Sequence, residues 1–238
     1  MSARTVLGFD TATPDVAVAA TRGGELLGEA RAPAAGRPRH ATELLPLVER
    51  VASDAGGWDD VDAIAVGLGP GSFTGLRIGI ATARALAQGR ELPLVGVRSL
   101  DALAAGIATS LPSGGERPVL ALIDARRSQL FAALYGPRLE ALWEPFVAAP
   151  ALLAERVAGL AEAPLAGGDG SLRFRLDLER AGAEVLPDAD PRHGLSAKHI
   201  CLLAAGQAGS APEEIRPIYL RPPDAHVWQQ RDDRADAS

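Results

Sequence analysis

The chain repeats its own opening. Residues 5–25, TVLGFDTATPDVAVAATRGGE, align without a gap on residues 119–139, VLALIDARRSQLFAALYGPRL, with Asp124 beneath Asp10. In each copy an apolar strand ends in Asp, a short polar turn follows, an alanine-rich strand returns, and a turn containing glycine closes the hairpin. Residues 164–171, PLAGGDGS, likewise echo residues 64–72, IAVGLGPGS, as a short strand entering a glycine-rich loop. A repeat of this length is not a solenoid period. It points to two lobes, each opening on an antiparallel meander. Apolar–Asp–turn–apolar is a common arrangement, so a coincidence between the halves is the competing reading.

Two copies of a mixed sheet with helices, facing each other across a cleft, give an α/β fold of two ribonuclease-H-like lobes. That is the plan shared by actin, sugar kinases and heat-shock ATPases. The expected division is residues 1–102 for the first lobe and residues 103–223 for the second. The last apolar helix, around HICLLAAG, would pack back on the first lobe, and the polar tail at residues 224–238 would be disordered. With 238 residues, 47% of them hydrophobic, either lobe can bury a core. Within the first lobe the order is meander, helix, strand, loop, helix, strand. The first helix, HATELLPLVERVASDAGG, closes at Gly56 and is constrained by Pro46. The second runs from about Thr74 to Gln88, with Ser72 and Thr74 as candidate caps.

The loop between that strand and helix, Gly69-Pro70-Gly71-Ser72-Phe73-Thr74-Gly75, has the make-up of an anion nest at a helix start. It lacks the Lys-Ser/Thr pair of a P-loop, and Pro70 removes a donor that a dinucleotide fingerprint would use. The plainer reading is a tight turn whose glycines permit close packing, and spacing alone does not separate the two. Chemistry-bearing residues are sparse. The four histidines fall in no metal-binding spacing, and His40 with Glu43 makes at most a weak pair. Asp10 and Asp124 end strands at the presumed cleft, where a nucleotide-binding relative would hold magnesium through water; they serve equally well as turn caps. Cys201 lies in an apolar helical pattern, as a buried inert thiol would. No catalytic residue, cofactor or metal is therefore expected.

Net charge narrows the partners. With 24 basic and 30 acidic residues the chain carries −6 and no Lys/Arg block, so something else would hold most of any bound RNA. No signal peptide or membrane-length apolar run is seen, which suggests the cytoplasm. The two helices of the first lobe are more apolar than docking on a sheet requires. On the second, Leu76, Gly79, Ile80, Ala83, Leu86 and Ala87 cover one face, while Ile78, Ala81 and Ala85 lie on the far side. On the first, Leu44, Leu45, Leu47, Val48, Val51, Ala52 and Ala55 span a wide arc. Gly79 and Ala83, four apart, would admit another helix closely. Both helices are expected to meet another subunit, unless they only cover the sheet and each other.

The stretch GLGPGSFTGLRIGIATARALA at residues 67–87 closely resembles the bacterial TsaB family, formerly called YeaZ. So do FDTAT, RHATELLP, VRSLDALA, LIDARRSQLFAALY and RPIYLRPP, and the likeness runs from about residue 5 to residue 223. The resemblance implies the actin and sugar-kinase fold and a non-catalytic part in making threonylcarbamoyladenosine beside the tRNA anticodon. It implies heterodimerisation with a TsaD-like catalytic subunit, recruitment of a TsaE-like ATPase, and a homodimer when the partner is absent. tRNA would be reached only through the complex, with no membrane involved. The catalytic relative carries paired histidines on the helix that VRSLDALAA occupies, where this chain has Arg98, Ser99, Leu100, Asp101 and Ala102. The expected contact comprises His40, Glu43, Leu44, Leu47, Val48, Val51, Leu76, Gly79, Ile80, Ala83, Leu86 and Ala87. The glycine loop would be a vestigial phosphate site, and Asp10 and Asp124 the carboxylates of the cleft. A small-molecule kinase of the same fold, with Asp124 as base, and a metallopeptidase are the alternatives.

Overall fold

A computed structural model describes residues 3–34, 36, 38–112 and 117–221. The tail at residues 224–238 lies outside the described residues. Among the described residues ten strands form two five-stranded sheets. The first holds β1 (Thr5–Asp10), β2 (Val16–Arg22), β3 (Glu25–Ala32), β4 (Ala63–Gly67) and β5 (Leu94–Val97), in the order β3-β2-β1-β4-β5. The second holds β6 (Val119–Arg126), β7 (Gln129–Tyr135), β8 (Ala141–Ala148), β9 (Leu165–Gly167) and β10 (Glu184–Val185), in the order β10-β9-β6-β7-β8. Read from the other edge, the second order reproduces the first strand for strand. In each, an antiparallel meander is followed by parallel pairing of the first strand with the fourth. The repeat in the sequence is thus a repeat of topology.

Among the described residues seven α-helices cover the sheets: α1 (His40–Asp54), α2 (Phe73–Gly89), α3 (Ser99–Ala108), α4 (Pro150–Ala158), α5 (Asp169–Arg173), α6 (Arg175–Arg180) and α7 (Ala197–Ala204). Helix α1 ends as its sequence suggests. Gly56 takes φ +105°, Gly57 donates to the Ala52 carbonyl and Gly56 to that of Ser53, which caps the last turn. Pro46 sits inside α1 on its exposed side, and the helix continues through it. Leu44 before it and Val48 and Val51 after it are all buried in the same core, which holds both halves on one axis.

Strand alternation sorts the side chains into three layers. Leu7, Phe9, Val16 and Val18 point to the outer face of the first sheet, under α1 and α2. Leu120, Leu122, Leu130 and Leu134 point outward from the second, under α4 and α6. Between the sheets lie α3 and α7, among Ala17, Ala19, Ala63, Ala65, Ala121, Ala125 and Ala133. Alanine on the inner faces lets these helices approach closely. Gly8 goes further, since a Cβ there would lie 2.7 Å from Cys201 Sγ.

The two middle helices cross over. Helix α3 follows β5 of the first sheet but lies against β6 and β9 of the second, while α7, from the second half, lies against β1 and β2. A boundary at residue 102 therefore falls inside an unbroken helix, and the lobes share one core rather than meeting at a linker. Tyr135 reinforces the joint by donating to Asp101 Oδ1 at 2.6 Å, and Arg98 reaches both Asp101 (2.8 Å) and Glu144 (2.6 Å).

Candidate functional site

The glycine loop leaves β4 and is fitted against the turn between β1 and β2. Asp10, at the end of β1, accepts from the Ala12 amide at 2.6 Å and from the Ser99 hydroxyl at 2.5 Å. Its Oδ2 fills the space above Gly67, where a Cβ would stand only 1.7 Å away. Ser99, the first residue of α3, also accepts from the Gly69 amide at 3.1 Å and donates its own amide to the Gly69 carbonyl at 2.9 Å. The Ser72 amide donates to the Ala12 carbonyl at 2.7 Å, and Ser72 Oγ caps α2 by accepting from Gly75 at 3.2 Å. Of the two candidate caps it is therefore Ser72 that serves.

These bonds consume the amides of Gly69, Ser72 and Gly75, and that of Leu76 goes to the Ser72 carbonyl. Thr11 closes the arrangement, its hydroxyl donating to the Gly75 carbonyl at 2.8 Å. His40 is buried with its Nε2 2.9 Å from the Thr13 carbonyl, while Glu43 pairs with Arg39 at 2.6 Å. The two do not converge on a metal. Among the described residues no three His, Cys, Asp or Glu side chains form a group that could hold one.

The paired carboxylates differ. Both make the same turn, Asp10 with the Ala12 amide and Asp124 with the Arg126 amide at 2.9 Å. Asp10, however, is enclosed at 2% exposure and contributes nothing to the cleft wall, contrary to its expected place there. Burial pushes its carboxyl up to about 6, against the pull of the Ser99 and Ala12 hydrogen bonds. Asp124 does line the cleft, but Arg173 Nη1 lies 2.9 Å from both of its oxygens. The cation facing this carboxylate is an arginine. Cys201 is fully buried, its thiol pushed up to about 12 chiefly by desolvation, with Sγ 3.3 Å from the Ala19 carbonyl.

A cavity of about 700 Å³ opens between the lobes. Its walls are the turns after β1 and β6, the glycine loop, and a C-terminal strap whose role is not apparent in the sequence. Ser210 in this strap donates to the Leu94 carbonyl at 2.9 Å, pairing with the outer edge of β5. Arg84 Nε on α2 donates to the Ile215 carbonyl at 3.1 Å. The Ile218 amide donates to the Leu68 carbonyl at 2.8 Å, and Arg221 Nη1 reaches the Ala125 carbonyl on the second lobe at 2.8 Å. The described part of RPIYLRPP, residues 216–221, thus laces one lobe to the other.

On the outer face, α1 and α2 lie side by side. Their residues do not divide as expected. His40, Leu44, Val48, Val51, Leu76, Gly79, Ile80, Ala83 and Ala87 are all buried within the chain, and only Glu43, Leu47 and Leu86 are partly open. Gly79 admits Thr11 of this chain, whose Oγ1 would lie 2.3 Å from a Cβ, rather than a foreign helix. The accessible apolar residues are on the other arcs: Leu45, 49% exposed, on α1, and Ala81 and Ala85 on α2, while Ile78 is half-buried against the same core as Leu47 and Leu86.

A family model described as TsaD, tRNA N6-adenosine threonylcarbamoyltransferase, matches residues 32–167. The tRNA threonylcarbamoyladenosine biosynthesis protein TsaB of Escherichia coli (strain K12) is 33% identical over 225 residues, covering 91% of this chain and 94% of the relative. The chain belongs to the TsaB family. The solved structure of YeaZ from Pseudomonas aeruginosa is 30% identical and superposes with a TM-score of 0.72, over 91% of the TsaB-family chain and all of its own. The ethanolamine utilization protein EutJ from Carboxydothermus hydrogenoformans shares the fold alone, at 13% identity and a TM-score of 0.52, over 85% and 90% of the two chains. No helix among the described residues of this TsaB-family chain is long and apolar enough to cross a membrane.

Proposed function

We propose that this chain is a non-catalytic subunit in the formation of threonylcarbamoyladenosine in tRNA. Its part is to dock on a TsaD-like catalytic subunit through the open faces of α1 and α2, and so to provide the site at which a TsaE-like ATPase joins. Alone, it pairs with a second copy through the same faces. The work is cytoplasmic, and most of the tRNA is held elsewhere in the complex.

The observation that carries this reading is the doubled apolar character of α2. One face, Leu76, Ile80, Ala83 and Ala87, is buried against the chain's own sheet, and on the outside Ala81 and Ala85 are exposed at helical spacing, with Ile78 half-buried at the edge of the same core. Exposed alanines four residues apart allow a helix of another subunit to come close. The idle cleft fits the same reading. Arg173 occupies the cation position at Asp124, and the loop amides of Gly69, Ser72 and Gly75 bond to the chain itself. The glycine loop is then a brace that fixes α2 relative to β1, not a phosphate cradle. A kinase would need Asp124 free as a base.

Leu45→Asp and Ala81→Arg change only exposed side chains. Each should abolish pull-down of the TsaD-like subunit from the same organism, and with it tRNA modification by the reconstituted proteins, while the far-ultraviolet circular dichroism is unchanged. Ala83→Arg is unsuitable, because Ala83 has 0% exposure and the change would disrupt the core. Undiminished pull-down by both variants would refute the docking face.

A further inference from the structure

The mouth of the cleft has a chemistry that neither the docking face nor the brace uses. The strap lays Tyr219 against Phe73, with ring centroids 5.0 Å apart and planes inclined by 35°, and Tyr219 remains 40% exposed. The Arg77 guanidinium lies 4.2 Å from the centre of the Phe73 ring. From the second lobe, Arg126, 64% exposed, lies 3.5 Å from Asp124 Oδ2, and Arg221 is held at the rim by the Ala125 carbonyl. Asp124 is the sole carboxylate among the described residues that line this cavity, and Arg173 already neutralises it. A chain of net charge −6 therefore gathers three arginines and an aromatic pair at one opening.

We propose that this opening is a contact for single-stranded RNA, in which an unpaired base stacks on Tyr219 and Arg77, Arg126 and Arg221 meet the flanking phosphates. A nucleoside triphosphate fits less well, because three of the loop amides, those of Gly69, Ser72 and Gly75, are bonded to Ser99, Ala12 and Ser72. The arginines are instead spread over both lobes and the strap, which suits charges spaced along a backbone. The proposal rests on the tRNA pathway read above but not on the α1–α2 docking face. Three phosphate contacts make it an auxiliary site, consistent with most of the tRNA being held elsewhere.

Fluorescence anisotropy of the pure chain with a labelled anticodon stem–loop RNA, and with a labelled oligouridylate, tests it. The slope of log affinity against log salt should be about −2, a loss of about 15-fold between about 50 and 200 mM. Arg126→Gln, on the lobe away from the docking helices, should weaken binding and reduce the slope to about −1.4. Tyr219→Leu should weaken binding without changing the slope, and Leu45→Asp should leave it untouched. Wild-type affinity and slope in Arg126→Gln would overturn the proposal. So would equal binding of a fully duplex RNA, or displacement of the RNA by an equimolar amount of ATP.

Discussion

Asp10→Asn tests whether the carboxyl at the end of β1 is a structural bolt that works best without its charge. The side chain is enclosed by Gly67, Ser99 and the turn at Ala12, and burial moves it from 3.8 to about 6. A gap of that size corresponds to about 3 kcal/mol between the folded and unfolded chains. Between 3.8 and about 6 the folded chain keeps a proton that the unfolded chain has released, so this group's contribution to stability falls as pH rises across that window and stays low above it. Asparagine has the same shape and no charge to desolvate. Its Oδ1 can still accept from the Ala12 amide and its Nδ2 can donate to Ser99 Oγ, although the Ser99 proton then needs another acceptor at a cost of about 1 kcal/mol.

The difference between variant and wild type isolates the effect, because other carboxylates cancel. One that would otherwise intrude is Asp190, held down to about 2 by Arg192. Urea unfolding at a series of pH values should show the variant less stable, or equal, near pH 4 and gaining on the wild type by about 3 kcal/mol as pH approaches 7. A difference that stays constant across that range would mean that the hydrogen bonds from Ser99 and Ala12 fully offset burial, and the account of Asp10 as a penalised charge would fail.

Two further expectations concern the shared core. Gly8→Ala should cost about 1–3 kcal/mol in thermal or urea unfolding, and adding Cys201→Ala should recover part of that loss, because the new methyl would clash with Sγ; strict additivity would refute the contact. Cys201, buried and with its thiol pushed up to about 12, should stay protonated and unreactive toward a thiol-disulfide reagent at pH 8 until the chain is unfolded.

Strands and repeats were legible because alternation and the Asp turn are local signals, and the aligned segments at residues 5–25 and 119–139 each form the antiparallel hairpin that their pattern suggests. The buried and open faces of α2 were not. Leu76, Ile80 and Ala83 on one side and Ile78, Ala81 and Ala85 on the other are both apolar, and a helical wheel gives angles without saying which arc meets the sheet. The same limit hid the placement of α3 on the second sheet, since periodicity shows that a helix has an apolar face but not whose sheet it covers.

The glycines of the loop show what a spacing can mean once neighbours are known. Gly67, Gly71, Gly75 and Gly79 recur every four residues, and a Cβ on each would stand within 2.5 Å of Asp10 Oδ2, the Ala12 carbonyl, the Thr11 carbonyl and Thr11 Oγ1 in turn. All four thus leave room for three consecutive residues at the end of β1. A phosphate nest needs glycines so that backbone amides can converge on a ligand; here the bare Cα positions converge on the chain's own turn. The ladder therefore presses α2 onto β1 and fixes how its outer face is presented, which joins the most distinctive stretch of the sequence to the docking role proposed for α2.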